Sequence, residues 1–226
     1  KQGKRGKFMP SPFTFDKYGE SGIDICELYP HLSRNADDLC VIRSMHTTTP
    51  NHEPGLLMIN SGHQQPIRPC LGSWLTYGLG SENQNLPGFV VLCPGKPVVG
   101  PALWNNSFLP GIYQGTFLNT KNRSVEKLTA NIRNKNLSLD DQRRQLDVLK
   151  VLNKLHQQQR GQDPRLESRI ENFELAYRMQ SSATEAVDIG SEDTRTREMY
   201  GLNNKLTSDF GNKCLTARRL IERGVR

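Results

Sequence analysis

The sequence lacks any long apolar run. No stretch of its 226 residues approaches the roughly 20 apolar residues that a membrane helix requires. The apolar segment of a signal peptide is also missing. We therefore expect no membrane-spanning part in this chain, and we expect any export signal to lie outside it.

Cysteine is sparse and shows no metal or redox spacing. Cys26, Cys40, Cys70, Cys93 and Cys214 are widely separated, and no two of them form a CxxC motif. We expect small, buried apolar side chains at these positions. One or two disulfides remain open if the protein is exported.

A nucleic-acid recognition motif is absent too, although the net charge is +7 and the pI is near 9.3. That charge permits contact with the phosphate or sulfate groups of acidic polymers. The basic residues are dispersed, and the one basic cluster, residues 1–7, is typical of a solvated terminus. The sequence therefore does not favour a nucleic-acid partner.

The first half of the chain has an α/β pattern. Residues 1–22 are rich in Gly, Pro and Lys and indicate an extended lead-in, whereas Ile23–Asn35 indicates a short helix. The apolar runs Leu39–Ile42 and Phe89–Leu92 predict strands. Residues 94–122 predict a long irregular loop packed by its own aromatics, either functional or a plain cover over the sheet.

Three further helices are predicted, one of them before that loop. Cys70–Leu79 predicts a helix with Trp74 and Leu75 facing inward. A cap at Ser138 predicts a second helix that runs to Gly161. A third helix starts at Pro164, and we expect it to form an antiparallel pair with the second. This pair covers the sheet or, alternatively, binds a partner.

Titratable side chains concentrate between Arg43 and His63, which hold three of the five histidines between them. Pro54 is well placed to open a helix that Gly62 closes, just after the predicted strand Leu39–Ile42. The histidines are thus predicted at a strand-to-helix switch. A helix start there offers unpaired N–H groups to an anion, and a phosphate or sulfate ester would suit it.

Three of these residues are candidates for chemistry. A neutral imidazole has a lone pair near neutral pH, so His52 can ligate a metal, attack an ester or carry a proton. Thr49 is a candidate hydroxyl nucleophile, and His46 is a second candidate metal ligand. The alternative is that His52 and Asn51 only cap the helix or satisfy buried backbone groups.

Other residues are candidates for contact with the substrate. Arg43 can bind a phosphate or sulfate with two nitrogens, or it can pair with Asp37 or Asp38. Asn51 is a second substrate-binding candidate. His63, just past the helix end, where the helix dipole favours its charged form, is a catalytic candidate or a cap.

The order of these segments resembles the front of the sulfatases, in the alkaline-phosphatase superfamily. Residues 29–37 resemble a sulfatase helix start, and residues 39–45 resemble the strand that follows. His52-x-Pro54 stands where sulfatases carry Cys-x-Pro, and residues 61–63 stand where they end in Thr-Gly-Arg. The Cys or Ser that sulfatases oxidise to formylglycine is absent, because position 52 is histidine.

The whole chain resembles, more closely, an uncharacterised family of exported bacterial proteins related to sulfatases, a domain of unknown function. Arg-Ser-Met, Asn-His and Gly-His occur here in that family's order, and residues 173–177, 192–201 and 215–226 share the resemblance. Because the sequence starts without methionine and ends in a helix, glycine and strand pattern, we expect it to be a fragment.

The resemblance implies an α/β fold with a partial alkaline-phosphatase-like or sulfatase-like sheet, flanking helices and an appended helical pair. Residues 1–226 would form one partial domain. Its parts would be an α/β front with the long loop (1–122), a helical cover (123–200) and a helix leading into a missing strand (201–226).

The resemblance also implies hydrolysis of an anionic sulfate or phosphate ester, with a polysaccharide as one suggested carrier. A divalent metal ion (Zn, Ca or Mg) would stabilise charge on the transferred group, with further ligands outside this chain, so that the fragment alone would be inactive. The full-length protein would be periplasmic or secreted. The alternative is a non-catalytic sulfatase-like binding or scaffold protein, including one that binds anionic glycans.

Overall fold

The residues that the structure describes form a mixed α/β structure with two small sheets. A computed structural model describes residues 8–120, 136–161 and 163–226. The chain divides into two compact units, Lys1–His46 and Thr47–Arg226, and each contains one sheet. No helix in the described ranges is long and apolar enough to cross a membrane.

The first unit is built on a β-hairpin. Strand β1 (Phe15–Tyr18) pairs antiparallel with strand β2 (Ile23–Cys26), the first residue of β1 lying opposite the last of β2. Gly19 (φ 67°) and Gly22 (φ 61°) flank the connecting turn in the left-handed region, where a side chain would strain the backbone.

Asp37 stabilises this turn from outside the hairpin. Its carboxylate accepts backbone N–H bonds from Ser21 at 2.9 Å and Glu20 at 3.0 Å. These bonds, first that from Ser21, hold the pKa of Asp37 below its ordinary value, because they favour the charged form. Asp37 itself belongs to a 3-10 helix, Leu32–Asp38, which contacts both strands.

Several predictions for this unit are wrong. The predicted lead-in over 1–22 contains β1, although residues 1–7 lie outside the described residues, and the predicted helix over Ile23–Asn35 begins with β2. Leu39–Ile42 is not a strand, and Ile42 is 62% exposed. A strand needs a neighbour to bond its backbone, and the described residues pair no strand with this segment.

The second unit contains a parallel sheet of two strands. Strand β3 (Val90–Cys93) pairs with β4 (Thr116–Asn119), which confirms the predicted strand with a shift of one residue. The connection predicted as an irregular loop over 94–122 instead contains β4 and two 3-10 turns, and its last two residues lie outside the described ranges. Within it Trp104 stacks on Phe117, with ring centroids 5.6 Å apart, as its aromatic residues predict.

Helix α1 (His52–Ser61) and helix α2 (Leu71–Leu79) precede this sheet in the chain. The predicted helix α2 is confirmed, but its buried face is not the predicted one. Trp74 and Leu75 are 43% and 44% exposed, whereas Ser73 is fully buried. The Ser73 hydroxyl donates to a backbone oxygen of the β3–β4 connection at 2.8 Å. Because this connection lies so close to α2, the face of α2 that contacts it favours small side chains.

The predicted antiparallel helical pair is confirmed. Helix α3 (Leu139–Arg160) and helix α4 (Pro164–Val187) contact each other along their lengths. Arg143, near the start of α3, donates to both carboxylate oxygens of Glu174 at 2.8 and 2.7 Å. A further side-chain bond joins the end of α3 to the start of α4, which establishes the antiparallel direction.

Helix α5 (Thr194–Met199) and helix α6 (Ser208–Ile221) complete the second unit. After α6, the Arg226 N–H donates to Gly88 O at 3.1 Å. One core cluster combines side chains of β4, α4 and α6 with neighbouring loop residues: Leu86, Leu118, Met179, Ala183, Ala186, Val187, Leu220 and Val225.

Candidate functional site

The predicted helix in the histidine segment is confirmed as α1. Gly62 ends it in the left-handed conformation, at φ 69°, as the sequence indicates. The helix begins at His52, so Pro54 lies in its first turn rather than at its opening position. Proline is tolerated there because the first N–H groups of a helix have no intrahelical partner.

The start of α1 has no side-chain cap. Asn51 takes the N-cap position with an extended backbone (φ −91°, ψ 141°), and its side chain makes no capping hydrogen bond. Its carbonyl accepts the first helical bond, from Gly55 N–H at 3.0 Å. The N–H groups of His52 and Glu53 come before that bond, and both residues are exposed. These groups therefore have no intrahelical acceptor.

The segments on either side of α1 come together. Gln64, just after the helix, donates through Nε2 to the Thr48 hydroxyl at 2.9 Å, although the two residues are 16 positions apart. Thr49 is half-buried, and its hydroxyl accepts the N–H of Asn51 at 3.3 Å. Thr49 and Asn51 therefore lie beside the helix start.

His63 lies in the returning segment. Its Nδ1 accepts the N–H of Gln65 at 3.0 Å, which fixes the ring near its own backbone. The ring lines an open pocket of about 630 Å³ together with Pro54 and Met58. His63 thus faces the same pocket as the first turn of α1.

Arg43 lies in the first unit and forms an exposed ion pair. Its nearest carboxylate oxygen is on Asp24 at 3.8 Å, with 67% of the Arg43 side chain and 47% of the Asp24 side chain exposed. The suggested pairing with Asp37 or Asp38 is not found in the described residues. An exposed pair of this kind contributes little to stability, so Arg43 can leave it for another anion.

His46 also belongs to the first unit. The ring is exposed, and Nδ1 lies 3.3 Å from the carbonyl oxygen of Ser44. Thr49, Asn51 and His52 belong to the second unit.

The possible metal ligands are scattered in the part of the chain that the structure describes. No three or more His, Cys, Asp or Glu side chains there lie close enough to hold a metal ion. The prediction that the cysteines are buried is correct only for Cys70. Cys40 is exposed, and the other three cysteines are half-buried.

Sequence reasoning missed a buried charged cluster in the second unit. Arg219 is 8% exposed, donates to the carbonyl oxygens of Ala186 at 3.1 Å and Glu185 at 3.0 Å, and forms an ion pair with Glu192. Its only sequence signal is a position one helical turn after the fully buried Leu215. All of these partners lie within the protein, so the cluster stabilises the fold.

Comparison with known proteins identifies one family. The model of a family described as a protein of unknown function (DUF1501) matches residues 1–226. No curated protein and no solved structure matches the chain. The family match covers both units and the entire histidine segment.

Proposed function

We propose, from the premise that the chain belongs to the DUF1501 family, that the protein is a sulfatase-like hydrolase of sulfate or phosphate esters. The main support for this proposal is the geometry at the start of α1. His52 is exposed there, next to an N-cap residue, Asn51, whose side chain makes no capping bond. A side chain that only stabilised the helix would be expected to make that bond.

The first turn of α1 can bind the anionic group of an ester. The N–H groups of His52 and Glu53 lie at the positive end of the helix dipole, which favours a negatively charged ligand. The Asn51 amide can donate to a further ester oxygen. The neutral His52 imidazole is the proposed nucleophile or proton carrier, with the Thr49 hydroxyl as the competing nucleophile.

The proposal includes a divalent metal ion, with His52 as a ligand, and it extends to His63 as a catalytic residue. The described residues alone do not fit such an ion, because their His, Cys, Asp and Glu side chains form no group of three. We therefore assign no step to the metal. The roles above concern side chains and backbone groups of this chain.

The substrate, in this proposal, is an anionic ester on a polysaccharide, and the protein is periplasmic or secreted. The net charge of +7 supports attraction of such a substrate. The same charge favours a second candidate function, a non-catalytic sulfatase-like scaffold or binding protein that retains anionic glycans without cleaving them.

A hydrolysis assay separates the two candidates. The complete protein, supplied in turn with Zn²⁺, Ca²⁺ or Mg²⁺, is tested on 4-nitrophenyl sulfate and 4-nitrophenyl phosphate. We expect turnover of at least one ester, and we expect His52→Ala to lower kcat/KM by at least about 100-fold, the range of a lost acid–base group. His156→Ala, which removes an exposed histidine on α3, is the matched control and should leave kcat/KM unchanged.

Two outcomes would contradict the proposal. Hydrolysis that survives His52→Ala undiminished would remove His52 from the site. An absence of turnover with every ion, combined with salt-sensitive retention on a sulfated-glycan column, would support the non-catalytic candidate instead.

A further inference from the structure

A larger cavity lies at the carboxyl ends of β3 and β4, in the second unit. Its volume is about 800 Å³, and Leu92 and Leu118, from the ends of the two strands, line it with Leu202. Small-molecule pockets usually measure roughly 300–1,000 Å³. The carboxyl ends of parallel strands are also a common place for ligands. Its lining includes no residue of α1.

The described polar residues of the lining carry more positive than negative charge. Three cations, Arg197, Lys205 and Lys213, share the cavity with two carboxylates, Asp188 and Asp209. Lys213 and Asp209 form an ion pair with each other, one turn apart on α6. Asp188 accepts a backbone N–H bond at 2.9 Å within its own turn. Among the described lining residues, Arg197 and Lys205 are then the cations outside any ion pair, and they outnumber the one remaining carboxylate, on Asp188.

Arg197 and Lys205 are not engaged by other described side chains. The ion pairs of the described residues include neither of them. A guanidinium presents a planar pair of donors that fits two oxygens of a phosphate or sulfate, and a lysine adds a mobile charge. Asn203 and Asn212 line the same cavity and add amide groups.

We propose that this cavity binds a small organic molecule carrying a phosphate or sulfate group. Arg197 and Lys205 bind the oxyanion, and the leucines at the strand ends contact the apolar part of the ligand. The site is separate from the start of α1, and the inference does not depend on the hydrolase proposal.

Phenylphosphonate is a suitable probe, because it combines an oxyanion with an apolar ring and has no ester bond to hydrolyse. We expect the complete protein to bind it in isothermal titration calorimetry. Arg197→Gln and Lys205→Ala should each raise Kd at least about tenfold, the effect of losing one charge-assisted hydrogen bond. Lys154→Ala, which removes an exposed lysine on α3 outside the cavity, should leave Kd unchanged.

Three results would overturn this proposal. The first is no binding by the unmodified protein, and the second is unchanged binding by both cavity variants. The third is an equal loss in Lys154→Ala and Lys205→Ala, because that would indicate general charge attraction. Lys205 is exposed in the turn between α5 and α6, so its variant keeps the experiment decisive if Arg197→Gln does not fold.

The apolar contacts have a test of their own. Inorganic phosphate should bind more weakly than phenylphosphonate, since it buries no ring against the leucines. Leu202→Ala should remove most of that difference while leaving the Kd of inorganic phosphate unchanged. Equal affinities for the two probes would contradict an apolar part of the site.

His52→Ala distinguishes this inference from the proposed function. The part of phenylphosphonate binding that depends on Arg197 and Lys205 should be the same in that variant as in the unmodified protein, whether or not hydrolysis is observed. Loss of binding in His52→Ala, with Arg197→Gln and Lys205→Ala unaffected, would assign the anion to α1 and overturn the cavity proposal.

Discussion

Two helices of the second unit begin in opposite ways. At the start of α3, the Ser138 hydroxyl accepts the N–H of Asp141 at 3.1 Å and donates to the carboxylate of the same residue at 2.6 Å. At the start of α1, the Asn51 side chain makes no comparable bond. One start is thus stabilised by its own sequence, whereas the donors of the other remain available to a ligand.

The first turns of α3 and α1 also differ in their number of acidic residues. Asp140 and Asp141 both lie in the first turn of α3, where their charge interacts favourably with the helix dipole. The first turn of α1 contains one carboxylate, on Glu53. That carboxylate stabilises the helix but competes with an anionic ligand for the same positive end.

Replacing Ser138 by alanine should have the largest effect on stability among the changes at helix starts. We expect Ser138→Ala to lower the free energy of unfolding by about 1 kcal/mol, because the side-chain cap is lost. Urea denaturation followed by circular dichroism measures this, and hydrogen exchange of the first turn of α3 locates it. Unchanged exchange at Asp141 N–H would show that the cap contributes nothing in solution.

Glu53→Gln should act on stability and on anion binding in opposite directions. Loss of the favourable dipole interaction should destabilise the protein by roughly 0.3–1 kcal/mol. Binding of an anionic ester at α1 should strengthen, because a competing charge has gone. Glu171→Gln, at an exposed position within α4, is the control. Weaker ester binding in Glu53→Gln would indicate that Glu53 contacts the ligand directly.

Local signals in the sequence predicted the helix ends well. The Ser138 cap and Gly62 at the end of α1 depend on a few neighbouring residues, so the pattern alone is sufficient. The hairpin also has a local signal, since Gly19 and Gly22 lie between two short β-rich segments. The Gly, Pro and Lys content of residues 1–22 indicates an extended segment instead, so the hairpin was not predicted.

Features that depend on contacts between residues distant in sequence could not be predicted from the sequence. Leu39–Ile42 has the composition of a strand but lacks a described neighbour to bond with. Ser73 faces the core because a backbone connection more than 30 residues later lies against it. For the candidate site, the pattern predicted the helix but placed its opening at Pro54 rather than at His52. The cavity at Arg197 combines segments too far apart in sequence to be recognised together.

The stability of a third helix start, that of α5, depends on pH. Asp193 caps α5, and the N–H bond from Thr196 is the main cause that lowers the pKa of its carboxyl. A lowered folded-state pKa gives stability that is present above the unfolded-state pKa and is lost as the pH falls through the folded value. Asp193→Asn keeps a capping oxygen but cannot titrate, so hydrogen exchange at this start should lose its acid sensitivity below about pH 4. Identical acid sensitivity in both proteins would contradict this assignment.

Asn51→Ala should have the smallest effect on stability and tests the comparison most directly. Because the side chain makes no capping bond, we expect the free energy of unfolding to change by less than about 0.5 kcal/mol, as for ordinary surface positions. Ester binding at α1 should weaken, since the amide donor is lost. Asn51→Asp should weaken it further, because a carboxylate there stabilises the helix start while repelling the anion. A stability loss in Asn51→Ala equal to that of Ser138→Ala would mean that both starts are capped in solution, and the donors of α1 would then not be free for a substrate.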